Sequence, residues 1–315
     1  MATHIFGVDV GGTTVKLGLF DQAGNLLEKW EIPTRTENGG EKILPDIAES
    51  IEKKMEEKGL KKEDLAGVGL GAPGAIGADG TMYGAVNLGW GTFNLEQALS
   101  DLLGLPVRAG NDANVAALGE MWKGGGQGCS NLVAVTLGTG VGGGIIVNGN
   151  IVTGATGAGG EIGHIHVEDN ETEMCGCKSI GCLEQYASAT GIVRLAKKML
   201  ASTEEASALR ELPAEELSAK AVFDAVKAKD ALAIRVAEQF GEYLGKALGV
   251  IAGIVNPEVI VIGGGVSKAG EILFDYIRPP FDRTAFSGCR IAKMALATLG
   301  NDAGIYGAAR LMLGE

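Results

Sequence analysis

The chain has 315 residues, of which 46% are hydrophobic and 21% charged, and its formal net charge is −12. The length suggests two domains, and the apolar content excludes a disordered chain. No run approaches the roughly 20 apolar residues that a membrane-spanning helix needs, and the acidic charge argues against nucleic acid as the main partner. The opening residues show no secretory signal, so a cytoplasmic protein is expected.

Strand and helix patterns alternate along the chain. Ile43, Ile47, Ile51 and Met55 recur every four positions, which is typical of an amphipathic helix. In chain order the predicted elements are strands His4–Val10, Val15–Phe20 and Leu26–Ile32, helix Gly40–Lys58, strand Ala66–Leu70, helix Leu95–Leu103, strand Val107–Ala109, a helix from Asn111 to about Trp122, strands Asn131–Leu137 and Gly144–Val147, helices between Leu183 and Val255, strand Val259–Ile262, a further helix, strand Arg290–Ala295 and helix Ala303–Leu313.

This alternation predicts layered α/β domains. We place a smaller N-terminal α/β domain at 1–113 and a larger one at 114–302. The larger domain includes the segment 153–182, which is irregular and rich in glycine and cysteine. The closing helix, 303–315, is expected to pack back on the N-terminal domain.

The chain contains an internal repeat. Val8–Phe20 and Val135–Val147 each read as an apolar strand, a glycine and threonine turn, and a second apolar strand. Glycines let backbone N–H groups approach an anion closely, which suits phosphate. The turn residues are Gly11, Gly12, Thr13 and Thr14 in the first copy and Gly138, Thr139 and Gly140 in the second. The alternative is a chance likeness of two glycine-rich hairpins.

Other nucleotide-binding patterns do not fit. Gly138–Gly143 matches G-x-G-x-x-G, but Gly144–Gly149 then reads as a strand and a hairpin turn, whereas a dinucleotide fold needs a helix. The chain has no G-x-x-x-x-G-K-[ST] motif. Asp9, at the end of the first strand, is placed to hold Mg²⁺ directly or through water.

Three of the five cysteines fall within eight residues, at Cys175, Cys177 and Cys182. With His164 they form a donor set that is typical of a closed, structural zinc site. His166 is a competing fourth ligand. The alternatives are three reduced thiols in an ordinary loop or a redox-active pair.

Acidic residues occur at two further places. Asp112 lies between a strand and a helix, where a carboxylate can take a proton from a substrate hydroxyl; alternatively Asn111 or Asp112 merely caps the helix. Glu161 and Glu184 flank the cysteine cluster, so a bound zinc would fix the loop that carries both. Together they suggest a pocket for a polyol such as a sugar, although each alone is typical of a surface residue.

On these motifs the chain resembles the ROK family of sugar kinases and repressors, and it is similar to the bacterial ATP-dependent glucokinases of that family. The resemblance covers nearly the whole chain. The matching motifs are Asp9–Thr13 with Lys16, Gly84–Trp90, Asn111–Asn114, Leu137–Gly140, Gly159–His164, the run from Cys175 to Glu184, and Ile262–Ser267. The family implies two actin-like (ribonuclease-H-like) domains with an interdomain cleft.

The resemblance also implies roles for particular residues in the phosphorylation of D-glucose at its 6-hydroxyl by ATP. Asp112 is the implied general base. The implied sugar contacts are Asn87, Asn111, Asp112, Glu161, His164 and Glu184. The implied contacts to Mg-ATP are Asp9, Gly11, Gly12, Thr13, Thr14, Lys16, Gly138, Thr139, Gly140, Gly264 and Gly265. His164, Cys175, Cys177 and Cys182 are the implied ligands of a structural zinc, and a homodimer or homotetramer is expected.

Two alternatives to this function stay open. The sugar could be N-acetylmannosamine, N-acetylglucosamine or fructose, or the protein could be a non-catalytic sugar sensor. The DNA-binding domain of the repressor branch is not expected, because the first predicted strand begins at about His4. One position departs from the family pattern: Lys178 stands where glycine is usual, which casts some doubt on the backbone geometry of the cysteine loop.

Overall fold

The computed structural model describes residues 3–313. The predicted segments 1–113 and 303–315 therefore extend past the described residues at positions 1–2 and 314–315. Strands and helices alternate along the chain, as the sequence predicts for an α/β protein. No helix within residues 3–313 is long and apolar enough to cross a membrane.

Nearly every predicted element is present, with boundaries shifted by a few residues. The strands are β1 (His4–Val10), β2 (Thr14–Asp21), β3 (Leu26–Pro33), β4 (Leu65–Ala72), β5 (Thr81–Met82), β6 (Phe93–Asn94), β7 (Val107–Asn111), β8 (Leu132–Leu137), β9 (Val141–Val147), β10 (Asn150–Ile151), β11 (Val259–Gly263) and β12 (Lys293–Leu296). The helices are α1 (Glu37–Gly40), α2 (Ile43–Lys58), α3 (Leu95–Leu103), α4 (Asp112–Lys123), α5 (Glu184–Ala187), α6 (Ala189–Ser202), α7 (Ala219–Lys227), α8 (Ala231–Val255), α9 (Ile272–Thr284) and α10 (Ala303–Leu311).

The two main sheets share one topology. The first has the strand order β3-β2-β1-β4-β7 and the second β10-β9-β8-β11-β12, so corresponding strands hold corresponding places. The repeat predicted from one pair of hairpins is confirmed, and it extends to five strands in each sheet. A small third sheet pairs β5 with β6, and no sequence pattern predicts it because each strand has only two residues.

The described chain divides into two compact units. Unit 1 contains the chain up to Ser130, Gly144–Gly160 and the segment that begins at Thr298, and unit 2 contains Asn131–Gly143 and Glu161–Ala297. This division differs from the one predicted at residue 113, because α4 packs against α10 and both belong to unit 1.

Unit 1 is built on parallel pairing of β1 with β4 and of β4 with β7. Helix α2 buries the residues that the four-residue spacing predicted as its apolar face. Helix α10 packs against β1 and β4. Its close approach requires glycine in both strands: a Cβ at Gly7 would overlap the carbonyl oxygen of Ile305, and one at Gly69 that of Ala308.

Unit 2 repeats the parallel arrangement with β8, β11 and β12. Helices α6 and α7 pack against the long helix α8, which also packs along α9. Fully buried phenylalanines in α7, α8 and α9 contribute to its core: Phe223, Phe240 and Phe281. The segment 153–182 contains no strand and only one short turn of helix, as predicted.

Gly69→Ala is expected to destabilise the protein by about 3 kcal/mol, because the added methyl group pushes α10 away from the sheet. Gly253→Ala is the matched control, since a methyl group there meets no heavy atom within 4 Å and the residue is exposed in α8. That change is expected to stabilise by about 0.5–1 kcal/mol. Urea unfolding measures both; equal effects of the two changes would contradict the packing argument.

Candidate functional site

The first predicted phosphate turn follows β1 in unit 1. The Gly11 N–H donates to the Thr14 carbonyl at 3.0 Å, which closes the turn. Thr34 holds it from outside: its hydroxyl donates to the Gly11 carbonyl at 2.7 Å and its N–H to the Thr13 carbonyl at 3.0 Å. At Gly12 no heavy atom lies within 4 Å of the place where a Cβ would be. The backbone of this turn is therefore open to a bound anion.

Asp9 is the carboxylate beside this turn. Its Oδ2 lies 3.9 Å from Lys16 Nζ, and the α-carbon of Gly304 packs directly on the carboxylate group. Burial raises the pKa of Asp9 to about 6, although the Lys16 charge lowers it, and the nearby Asp112 charge adds to the rise. A cation such as Mg²⁺ would favour the ionised form, as expected for a metal-binding carboxylate.

Asn111 and Asp112 stand at the start of α4, where their side chains form different sets of hydrogen bonds. The Asn111 side-chain oxygen caps the helix by accepting from the N–H groups of Ala113 and Asn114, at 3.0 and 3.2 Å. Its amide nitrogen donates to the Gly74 carbonyl at 3.0 Å. Asp112 shares the Ala113 N–H at 2.8 Å, and burial raises its pKa above the ordinary range. The alternative that Asn111 caps the helix is confirmed, and Asp112 is not needed for that purpose.

Asn87, the remaining predicted sugar contact of unit 1, lies on a short turn of 3₁₀ helix, Val86–Leu88. Its side chain is exposed, while the neighbouring Leu88 is fully buried and anchors the turn. Gly89 ends the turn in a left-handed conformation.

In unit 2 the two predicted nucleotide loops lie side by side. Gly138–Gly140 follows β8 and Gly264 follows β11, and these strands are parallel neighbours. Gly264 has a φ of +83° and packs on the Leu137 backbone so closely that a Cβ would overlap it. The Gly138 N–H donates to the Gly140 carbonyl at 3.0 Å, which closes the second turn as Gly11 closes the first.

The predicted metal ligands form one cluster. Ligand atoms of His164, Cys175, Cys177 and Cys182 all lie within 4.8 Å of one another. One nitrogen and three sulfur donors at this spacing fit a tetrahedral zinc ion. His166 does not take part, because its ring bonds to the Ile180 carbonyl at 3.0 Å and to Asp169 at 2.8 Å.

The two predicted acidic residues of unit 2 flank His164. Glu161 Oε2 lies 3.9 Å from His164 Nε2, and Glu184 Oε1 lies 3.8 Å from His164 Nδ1. Glu184 also accepts from the Cys175 thiol at 2.9 Å and, through Oε2, from the Val141 N–H at 3.4 Å. The cluster, both carboxylates and the end of the second glycine turn therefore form one group within unit 2.

A ROK family profile matches residues 5–315. The chain belongs to the ROK family. It is 48% identical over 306 residues to a glucokinase of Halalkalibacterium halodurans, which covers 96% of this chain and 92% of that relative. A Streptomyces griseus ROK glucokinase, solved with glucose and AMPPNP, superposes with a TM-score of 0.74 at 35% identity, covering 98% of each chain. The Thermus thermophilus ROK hexokinase superposes with a TM-score of 0.79 at 32% identity, covering 97% of this chain and 96% of that chain.

ROK sugar kinases have two domains of actin-like fold, so the predicted fold class of this chain is confirmed. The departure at Lys178 has a structural counterpart. Its φ of +71° is left-handed, which is the conformation that favours the glycine usual in the family. Asn114 and Glu120, both buried on α4, have no individual role predicted from the sequence. Glu120 could have been recognised from the sequence, because it is a lone charge among the apolar positions of that helix.

Asp9→Asn is expected to stabilise the folded protein at pH 7 by up to about 3 kcal/mol, because ionised Asp9 is disfavoured by burial. The stability cost of the raised folded-state pKa develops between the ordinary value, 3.8, and about pH 6 and is complete above that, so the gain should disappear below about pH 4. Asp21→Asn is the control: hydrogen bonds from Asn25 lower the pKa of Asp21, and its loss should destabilise at pH 7. Unfolding curves recorded across pH measure the change in stability of both variants. A pH-independent gain for Asp9→Asn would contradict a raised pKa of Asp9.

Lys178→Gly is expected to stabilise the cysteine loop by about 1 kcal/mol, because glycine adopts the left-handed conformation without strain. Retention of zinc against a chelator should improve. Lys229→Gly is the control, because Lys229 has a similar left-handed conformation, with φ +64°, between α7 and α8. It should raise the unfolding midpoint without affecting zinc retention, and equal retention in both variants would contradict the prediction.

Proposed function

We propose that this chain transfers the γ-phosphoryl group of Mg-ATP to the 6-hydroxyl of D-glucose, with Asp112 as general base. The similarity to glucokinases over nearly the full length of both chains carries the choice of reaction and sugar. The local structure supports the role of Asp112. A raised pKa brings a carboxylate closer to the working pH of a general base, and the helix cap is supplied by Asn111.

Asp112 takes the proton of the sugar hydroxyl as that oxygen attacks the phosphorus atom, and the bond from phosphorus to the leaving ADP oxygen breaks. The sugar is held through its other hydroxyls by Asn87, Asn111, Glu161, His164 and Glu184. Carboxylates and amides suit this task, because each accepts or donates hydrogen bonds that neighbouring hydroxyls can complete.

The phosphate groups are bound at the glycine turns, which the Gly11 and Gly138 N–H groups close internally. In unit 1 the binding residues are Gly11, Gly12, Thr13 and Thr14, with Asp9 and Lys16 beside them, and in unit 2 they are Gly138, Thr139, Gly140, Gly264 and Gly265. Mg²⁺ supplies neutralising charge to the phosphate oxygens when bound, and Asp9 would hold it directly or through water. Lys16 adds a positive charge, which offsets part of the rise that burial causes in the pKa of Asp9.

The cysteine cluster is proposed as a structural zinc site. His164, Cys175, Cys177 and Cys182 would supply all four ligands, which leaves no position for a reacting water. Because Glu161 and Glu184 both approach His164, the metal would hold the loop that presents them. On the family resemblance we also propose a cytoplasmic homodimer or homotetramer, which light scattering of the purified protein tests.

The proposed reaction predicts Mg²⁺-dependent ADP release with glucose as the best sugar among glucose, mannose, fructose, N-acetylmannosamine and N-acetylglucosamine. A larger kcat/KM with one of the other sugars would overturn the substrate and keep the chemistry. Sugar binding by calorimetry without phosphoryl transfer to any sugar would instead favour the sensor.

Asp112→Asn is expected to lower kcat by about 10²–10⁴-fold, because an amide cannot accept the hydroxyl proton. The cap formed by Asn111 persists in this variant, and burial disfavours the ionised Asp112, so the folded state should not be destabilised. Asp101→Asn, an exposed position on α3, is the matched control. Near-normal turnover by a folded Asp112→Asn protein would refute the role.

A further inference from the structure

Glu120 is a buried carboxylate that the proposed mechanism does not use. It lies on α4, which begins with Asp112, and only 4% of the residue is exposed. Oε1 accepts from the Leu299 N–H at 2.9 Å, while Oε2 accepts from the N–H groups of Gly125 at 2.8 Å and Thr298 at 3.1 Å. Both oxygens are therefore engaged, by two separate segments of unit 1.

The segment bonded to Glu120 also contacts Lys16 and Asp9, two residues proposed to serve the nucleotide phosphates. After Thr298 and Leu299, the Asn301 carbonyl accepts from Lys16 Nζ at 3.1 Å. Gly304, the second residue of α10, packs its α-carbon on the carboxylate of Asp9. Any shift of this segment moves the surroundings of both Asp9 and Lys16.

We infer that Glu120 is a positioning residue for phosphoryl transfer, which ties the helix that carries Asp112 to the segment that places Lys16 and Asp9. The inference rests on the proposed function, because it assumes that Asp9 and Lys16 serve the nucleotide phosphates. Backbone N–H groups suit this connection, since their positions follow the main chain of the segment and not a mobile side chain.

Glutamine cannot replace this carboxylate fully. It has nearly the same size, but only one of its two terminal atoms accepts hydrogen bonds. If that oxygen faces Leu299, the bonds from Gly125 and Thr298 are lost; in the other orientation the bond from Leu299 is lost. Either way at least one N–H group is left facing an amide NH₂, so the 298–304 segment must shift.

The test compares steady-state kinetics of Glu120→Gln with the wild-type enzyme. We expect kcat/KM for Mg-ATP to fall by about 10–100-fold, since small misplacements of catalytic groups cost this much, while the KM for glucose stays within about twofold. Glu171→Gln is the matched control. Glu171 is a buried carboxylate of unit 2 that accepts from Arg194 at 2.5 Å, so it reproduces the loss of a buried charge without touching the 298–304 segment.

A second variant tests the inference if Glu120→Gln fails to fold. A Cβ at Gly124 would overlap Glu120 Oε2, so Gly124→Ala displaces the carboxylate while leaving it in the chain. It should lower kcat/KM for Mg-ATP in the same direction.

Unchanged Mg-ATP kinetics in either folded variant would overturn the inference. So would a loss of thermal stability in Glu120→Gln accompanied by equal changes in both KM values, or the same loss of Mg-ATP kcat/KM in Glu171→Gln. Failure of the proposed function is distinguishable: the wild type would then phosphorylate no sugar. In that case Mg-ATP affinity by calorimetry decides the matter, and equal affinities of wild type and Glu120→Gln overturn the inference.

Discussion

Parallel strand pairing determines where the chemistry of this chain lies. β1, β4 and β7 run in the same direction, so Asp9, Gly74 and Asn111 come at or just after strand ends on one edge of the first sheet. The same pairing in unit 2 brings the turns after β8 and β11 together. Because parallel strands must be joined by long crossovers, a helix such as α3, between β4 and β7, is a consequence of this arrangement. Helix α4 follows β7, so it starts at the same edge and places Asp112 there.

Much of this was predictable because local patterns agree with the final structure. Strand β1 and helix α3 have the predicted bounds, since apolar runs, the Asn94 cap and Gly104 mark their ends unambiguously. The repeat was visible because two glycine turns need the same residues to make the same bends. The cysteine cluster was visible because its four residues come close in sequence as well as in space.

Other features depend on tertiary contacts that spacing does not encode. His164 and His166 both lie within about a dozen residues of Cys175, and only the folded loop turns His166 toward Asp169. Helix α1 includes Asn38 and Gly39 in left-handed conformations, which no periodicity indicates. Asn111 and Asp112 are both good capping residues, so the sequence does not show which of them caps α4. The Gly74 carbonyl accepts from the Asn111 amide and holds Asn111 in the capping position. Two of the three backbone partners of the Glu120 carboxylate, Thr298 and Leu299, lie 178 and 179 residues further along the chain.

The packing of α10 on β1 and β4 has a consequence for synthesis of the chain on the ribosome. Unit 1 takes strands from the beginning of the chain and a helix from its end, whereas unit 2 consists of segments that lie between them. All of unit 2 therefore emerges while one face of the first sheet still lacks α10. During that interval the apolar face around Gly7 and Gly69 stays uncovered, so the nascent chain has a defined period of exposure to chaperones and to aggregation.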